Sequence, residues 1–277
     1  MATRSARLAL LAAVLALVCS FVLARSLGAQ SAPPSRPAPD TTPPQAPFAI
    51  GEKLLYGVVL AGVRVGEGSM EITGSDTVRG HHVLHSVFHI EGGIPFFKVN
   101  DVLESWFDPV AMISYRFTQR INEGGYHRLR PYEIYPERMV FQMEGKLEEP
   151  SVAEPLDDGA FFYFVRTVPL KVGETYTYER YFRLDRNPVV VKVLRLDTVT
   201  VKAGRFPCIV IQPLIKSSGI FAEGGEALMW LTDDHRHMLV QMKTKVPYLK
   251  SLDLYLKSVT PGGAAPADST AAKAKSP

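Results

Sequence analysis

Hydrophobic and polar residues alternate along most of this chain in short runs separated by turn clusters. Leu54–Leu60 and Val63–Ile72 flank Ala61-Gly62 and predict a hairpin. Val83–Ile90 and Phe96–Phe107 follow across Gly92-Gly93, which reads as a turn. Met112–Ile121 and Tyr126–Tyr135 flank Asn122-Glu123-Gly124-Gly125, residues that tolerate positive φ, and Met139–Met143 comes after Pro136. In the second half, Thr175–Leu184 and Val189–Val201 are parted by Asp185-Arg186-Asn187-Pro188, a turn by composition. Phe206–Ile215, Ala227–Thr232, Met238–Val246 and Leu249–Val259 complete the series. Regular spacing of β-branched and aromatic runs predicts an all-β domain rather than βαβ units. The expected fold is mainly β, an antiparallel curved sheet or (half-)barrel of about twelve strands with one short helix packed on it.

That helix is where the period changes. Asp157-Asp158-Gly159 can cap it, Phe161, Phe164, Val165 and Val168 fall at i, i+3, i+4 and i+7, and Pro169 ends it. A helix of about three turns is too short to stand alone in water and must dock on the sheet. Two readings follow. Apolar stripes are ordinarily core, so the helix can be a plug. Alternatively it is a lid, with Phe161, Phe164 and Val165 lining a space for an apolar ligand.

The ends of the chain change character. Arg4 and Arg7 precede an apolar stretch, Leu8–Ala24, and Gly28-Ala29 offers a cleavage site before Gln30, so residues 1–29 read as a signal peptide. An uncleaved anchor is the alternative, the run being close to the ~17–20 apolar residues that a span needs. Lipidation at Cys19 is set aside, because Val18 precedes it where a small residue is normal and the cysteine lies inside the apolar run. Residues 30–47 are a Pro-rich linker and 260–277 an Ala/Pro/Gly/Ser/Lys tail, both expected to be disordered and flanking one β domain over 48–259. Export to the periplasm or cell surface is therefore expected, with no transmembrane span left in the mature chain.

Export also alters the charge. The formal net charge is +3, but Arg4, Arg7 and Arg25 lie in the signal, and without them basic and acidic residues balance at 28 each. Nucleic-acid binding needs a cationic surplus, so it is not expected. Cys208 is then left as the sole cysteine, in an apolar strand run where a buried, inert thiol is the ordinary outcome.

Candidate chemistry is thin. His81, His82, His85 and His89 cluster in sequence, but their Val and Phe neighbours favour strand. On a strand, His85 and His89 share a face roughly 13 Å apart, too far to chelate one ion. Asp233-Asp234-His235-Arg236-His237 could orient a histidine base, yet no Gly-x-Ser-x-Gly elbow supplies a nucleophile, and Asp is common in tight turns. Asp101 with Glu104, Glu67 with Glu71 and Glu223 with Glu226 are carboxylate pairs in sequence only. Gly66-x-Gly68 lacks the third glycine of a dinucleotide loop. No catalytic residues, metal or cofactor are expected.

Several short motifs taken in order resemble a known family. They are Gly51-Glu52-Lys53-Leu54-Leu55-Tyr56, Val99-x-Asp101 with Glu104-Ser105, Phe107-Asp108-Pro109, Val165-Arg166 leading into Pro169-Leu170-x-Val172-Gly173-Glu174, Gly204-Arg205-Phe206-x-Cys208, and Trp230-Leu231-Thr232-Asp233-Asp234. The chain resembles the exported bacterial proteins of domain-of-unknown-function family 3108 over about Phe48–Val259. The resemblance brings no activity and no site residues, and it agrees with an exported antiparallel β protein. The leading expectation is a non-enzymatic envelope protein holding a lipid-like or apolar ligand in a β cavity. The alternative is a structural or interaction module that binds an envelope protein and no small molecule.

Overall fold

The computed structural model describes residues 46–215, 226–246 and 250–263. The signal-like segment 1–29, most of the linker, residues 216–225 and 247–249, and most of the tail lie outside the described residues. Fourteen strands and one α-helix are found among the described residues: β1 (Lys53–Leu60), β2 (Val63–Val78), β3 (His81–Ile94), β4 (Phe97–Asp108), β5 (Ile113–Glu123), β6 (Tyr126–Tyr135), β7 (Val140–Met143), β8 (Glu148–Pro150), α1 (Asp158–Phe164), β9 (Thr175–Tyr178), β10 (Val189–Val201), β11 (Gly204–Leu214), β12 (Glu226–Thr232), β13 (Leu239–Val246) and β14 (Lys250–Thr260).

All fourteen strands form one sheet, ordered β8-β7-β6-β5-β4-β3-β2-β1-β14-β13-β12-β11-β10-β9, with every pair antiparallel. Two meanders thus meet where β1 pairs β14. The sheet is not closed: β8 and β9 are its two edges, and the segments beside them are joined by the bridge Leu156↔Tyr181 and by side-chain hydrogen bonds such as Ser151 Oγ to Phe182 O at 2.7 Å. Its halves nevertheless converge on α1. Phe162 stacks on Phe88 of β3 at 5.1 Å, and Phe164 meets Tyr178 of β9 edge-on at 4.9 Å. The mainly β, curved-sheet architecture expected from the alternation is what forms.

Several details differ from the sequence reading, among them the run expected over Thr175–Leu184, which is strand only at Thr175–Tyr178. Gly92-Gly93 lies within β3, and the chain turns instead at Pro95-Phe96. Gly92 faces Gly66 across the ladder, and a Cβ on either would collide with the backbone of the other strand, so these glycines permit close approach rather than a turn. The helix has two turns, not three. Asp157 caps it, accepting from the Gly159 and Ala160 amides at 2.7 and 2.9 Å. Its last turn tightens, with Arg166 N donating to Tyr163 O and Thr167 N to Phe164 O.

Nor does α1 present a single apolar stripe. Every residue from Gly159 to Phe164 is buried, as are Val165 and Arg166. A helix inside the concave face of a curled sheet has neighbours all round, so no face needs to be polar. Around it lies one core cluster reaching from Leu54 and Tyr56 on β1 to Val191 on β10 and Leu254 on β14.

Candidate functional site

Side chains alternate across a strand, so the ladder registers identify which residues share the concave face with α1. On β4 these are Phe97, Val99, Asp101, Leu103, Ser105 and Phe107, since Phe107 belongs to the core. Leu103 pairs with Phe88 of β3 and Gln119 of β5, and Asp101 pairs with Ile90. Val99 pairs with Glu123, Ile121 with Arg128 of β6, and Gln119 with Arg130.

The concave face is uneven in burial. Near α1, and over much of β10–β13, it is closed: Val191, Ile211, Met229, Leu231 and Met242 are buried, although Leu196 farther along β10 is exposed. Below the helix on β3–β5, Ile90, Phe97, Val99, Leu103 and Ile121 remain partly exposed. Ile90 and Leu103 pack on the core from its edge. These five form an apolar strip that begins under Phe162 and runs out to the hairpin ends.

A carboxyl pair reaches into the strip, for Asp101 lies between Val99 and Leu103 on β4 with Ile90 beside it on β3. Asp101 and Glu123 are hydrogen-bonded to one another, and Asp101 also accepts from the Asn122 amide at 2.8 Å. Desolvation of its carboxyl, then the adjacent Asp101 charge and their hydrogen bond, push Glu123 up to about 7, although the residue as a whole is exposed. Asp101 is raised as well, chiefly by desolvation. On β6, Arg128 reaches Tyr126 Oη at 3.3 Å and Arg130 reaches Gln119 Oε1 at 2.7 Å. The strip is thus apolar apart from Asp101 in its middle, and charged at its β5–β6 margin.

This pair makes a pH prediction. Glu123 ionises near 4.5 in the unfolded chain and at about 7 in the fold. Between those values the native state holds a proton that the unfolded chain has lost, so the stability it contributes is complete below the lower value and is lost as pH rises through the higher. Asp157, pushed up to about 6 by burial, acts in the same direction, while His85, lowered by desolvation, acts oppositely. The difference between parent and Glu123→Gln isolates one group. The fall in melting temperature from pH 5 to 8 is expected to be smaller in Glu123→Gln, and an unchanged slope would rule out the shared proton.

The residues singled out in the sequence are placed as follows. Phe161, Phe164 and Val165 lie in the packed core, above the strip. His81 pairs with Glu137 at 2.7 Å, His85 stacks on Trp106 at 4.3 Å, and His89 meets Asn100 Oδ1 at 3.0 Å, so the cluster disperses to three unrelated partners. Asp234 organises the β12–β13 turn, accepting from Thr232 Oγ1 at 2.7 Å and the Arg236 amide at 3.0 Å. Glu71 pairs with Lys53 at 2.8 Å, and Glu67 with Lys257 and Arg64. Glu223 lies outside the described residues. Cys208 is buried, and desolvation pushes its thiol up to about 12. Among the described residues, no helix is long and apolar enough to cross a membrane.

The sequence motifs meet around α1. Arg166 is buried and grips Glu52 through both terminal nitrogens, at 2.6 and 3.1 Å. It also donates to Pro47 O and Arg236 O, each at 3.0 Å. Ser105 donates to Asp157 Oδ2 at 2.6 Å, and Ser114 Oγ accepts from the Asp157 amide at 3.0 Å. Comparison with protein families matches residues 54–257 to the model described as protein of unknown function (DUF3108). The chain belongs to that family. No curated protein matches it. Among solved structures it is similar to a β-barrel-like protein of domain of unknown function DUF1849 from Brucella abortus, at 10% identity and TM-score 0.49, covering 78% of this chain and 99% of the other. A candidate lipoprotein from Parabacteroides distasonis aligns at 10% identity and TM-score 0.33, covering 77% and 98%. Within the family, then, Glu52, Ser105, Arg166 and Asp234 have structural work in this member: they lock α1 and its flanks into the sheet.

Proposed function

We propose that this member of the family is an exported, non-enzymatic envelope protein that holds a lipid-like or apolar ligand along the concave strip of β3–β5. Export rests on the layout of residues 1–29. The ligand reading rests on one observation: inward-facing Ile90, Phe97, Val99, Leu103 and Ile121 stay partly exposed while Val191, Ile211, Met229, Leu231 and Met242 of the other half are buried. Binding sites for small apolar molecules are concave and mostly apolar, with few polar groups at the margin. Glu123, Arg128 and Arg130 supply such a margin, and Asp101 is an acidic group set within the strip itself. Phe161, Phe164 and Val165 then belong to the closed end of the site, behind Phe162, rather than to its wall.

Native mass spectrometry of the chain produced in an exporting host tests this. Lipid that survives desalting is expected on the parent and is expected to be absent from Ile90→Asp and Leu103→Asp variants that still fold. A parent that carries no lipid and takes none up on addition would instead favour an interaction module without a small-molecule ligand.

A further inference from the structure

The open end of the strip is a rim of hairpin tips, and one of them is built unusually. The β3–β4 turn has only Pro95 and Phe96 between Ile94 and Phe97. Proline in the first central position and positive φ in the second is the arrangement of a type II turn, which takes Gly or Asn in the second place. Here that residue is Phe96, with φ +69 and a relative exposure of 103%. A bulky side chain in the left-handed region costs about 1–2 kcal/mol. Full exposure gives no burial in return. A glycine would serve the turn better, so the fold does not account for the phenyl group.

The neighbouring tip is braced against this one. Gly124 N donates to Lys98 O at 2.8 Å, and the Phe97 ring lies against Gly124, leaving no room there for a side chain. The paired tips expose Ile94, Phe96 and Tyr126. Beside them stand Lys98, Arg120 and Arg128, all exposed. Among the described residues, Lys98 and Arg120 have no acidic partner, and Arg128 touches only the Tyr126 hydroxyl. The acids at this end are Glu91 and Glu123, the latter hydrogen-bonded to Asp101. Aromatic groups at an apex with uncompensated cations set back from it match a lipid–water interface, where rings sit at headgroup level and basic residues meet anionic headgroups.

We propose that the β3–β4 and β5–β6 tips dock on an anionic lipid surface, with Phe96 inserted among the headgroups and Lys98, Arg120 and Arg128 against their phosphates. Docked in this way, the open end of the concave strip faces the membrane. The proposal stands apart from ligand binding in the strip, because Phe96, Lys98 and Arg120 lie outside the concave wall and only Arg128 is shared with its margin.

The full chain is titrated with vesicles of mixed phosphatidylglycerol and phosphatidylcholine, and with phosphatidylcholine alone. Fluorescence of Phe96→Trp is read as a difference from the parent, which already carries Trp106 and Trp230. A blue shift on anionic vesicles, quenched by lipids brominated high on the acyl chain, is expected. Phe96→Gly should keep or raise the melting temperature, yet weaken vesicle partition about ten-fold, the scale of one buried aromatic side chain. Lys98→Ala should weaken it about five-fold, and less at high salt. Ile90→Asp should leave partition unchanged even where it abolishes lipid co-purification, so the two proposals fail separately. No blue shift on anionic vesicles, or parent-level partition by Phe96→Gly, overturns the assignment. So does a shift produced by envelope proteins and not by vesicles, which would give the tips a protein partner.

Discussion

Replacing Arg166 with Met is expected to lower the stability of the domain by about 3–5 kcal/mol, the cost of leaving a buried charge without its partner. The guanidinium is walled by the rings of Phe48 and Tyr163, whose centroids lie 5.2 and 5.9 Å away. Its hydrogen bonds tie the C-terminal end of α1, which carries it, to two other stretches of chain: Pro47 and Glu52 before β1, and Arg236 in the β12–β13 turn. Removing it strands the Glu52 carboxylate, itself mostly buried, and unpairs two carbonyl oxygens. The pair as a whole is a different matter. Exchanging both ions for apolar groups is often close to neutral, because desolvating two charges offsets most of their attraction. Arg166→Met with Glu52→Leu is therefore expected to recover much of the loss. Urea unfolding of the parent, both single variants and the double variant closes the cycle. A loss below about 1 kcal/mol in Arg166→Met would mean that the bridge is screened as a surface pair is.

Period-two alternation made the strands legible, because it records which side chains face the core. It failed where that record is missing. β8 is Glu148-Glu149-Pro150, exposed throughout, a charged edge strand with no apolar face to announce it. At Gly92-Gly93 the glycine pair suggests conformational freedom, whereas Gly92 is needed for its lack of a Cβ opposite Gly66. The turn moved to Pro95-Phe96, whose phenylalanine argues against a positive φ. The candidate site was less legible still. Ile90, Leu103 and Ile121 become one strip only through the β3–β4–β5 register. Asp101 and Glu104 are close in sequence but three apart on a strand, so they point to opposite faces. The carboxyl that Asp101 meets is Glu123, twenty-two positions on in the next strand. The family motifs were visible, but nothing local said that Glu52 and Arg166 face one another across the interior.

The same helix separates a packed interior from the proposed ligand strip, and Phe161 is the residue on which the distinction turns. It is 2% exposed and sits on the buried helix among aromatic neighbours, its ring 6.3 Å from that of Phe162. Truncating a core phenylalanine removes its transfer free energy and leaves a cavity, together about 3–5 kcal/mol. Phe161→Ala is expected to lose that much in urea unfolding, with an unchanged m-value if the change is in the native state alone. Were the ring instead the wall of a fillable space, the ligand-free protein would lose far less, since no packed neighbours would lose contact. The comparison residue is Leu103, half-open on the strip. Its truncation to Ala should cost clearly less than that of Phe161, because water already reaches one side of it. Equal costs would place both residues in a continuous core and remove the strip as a binding surface. A large cost at Phe161 with a small one at Leu103 draws the boundary between plug and site along Phe162 and Phe88, where the helix meets β3.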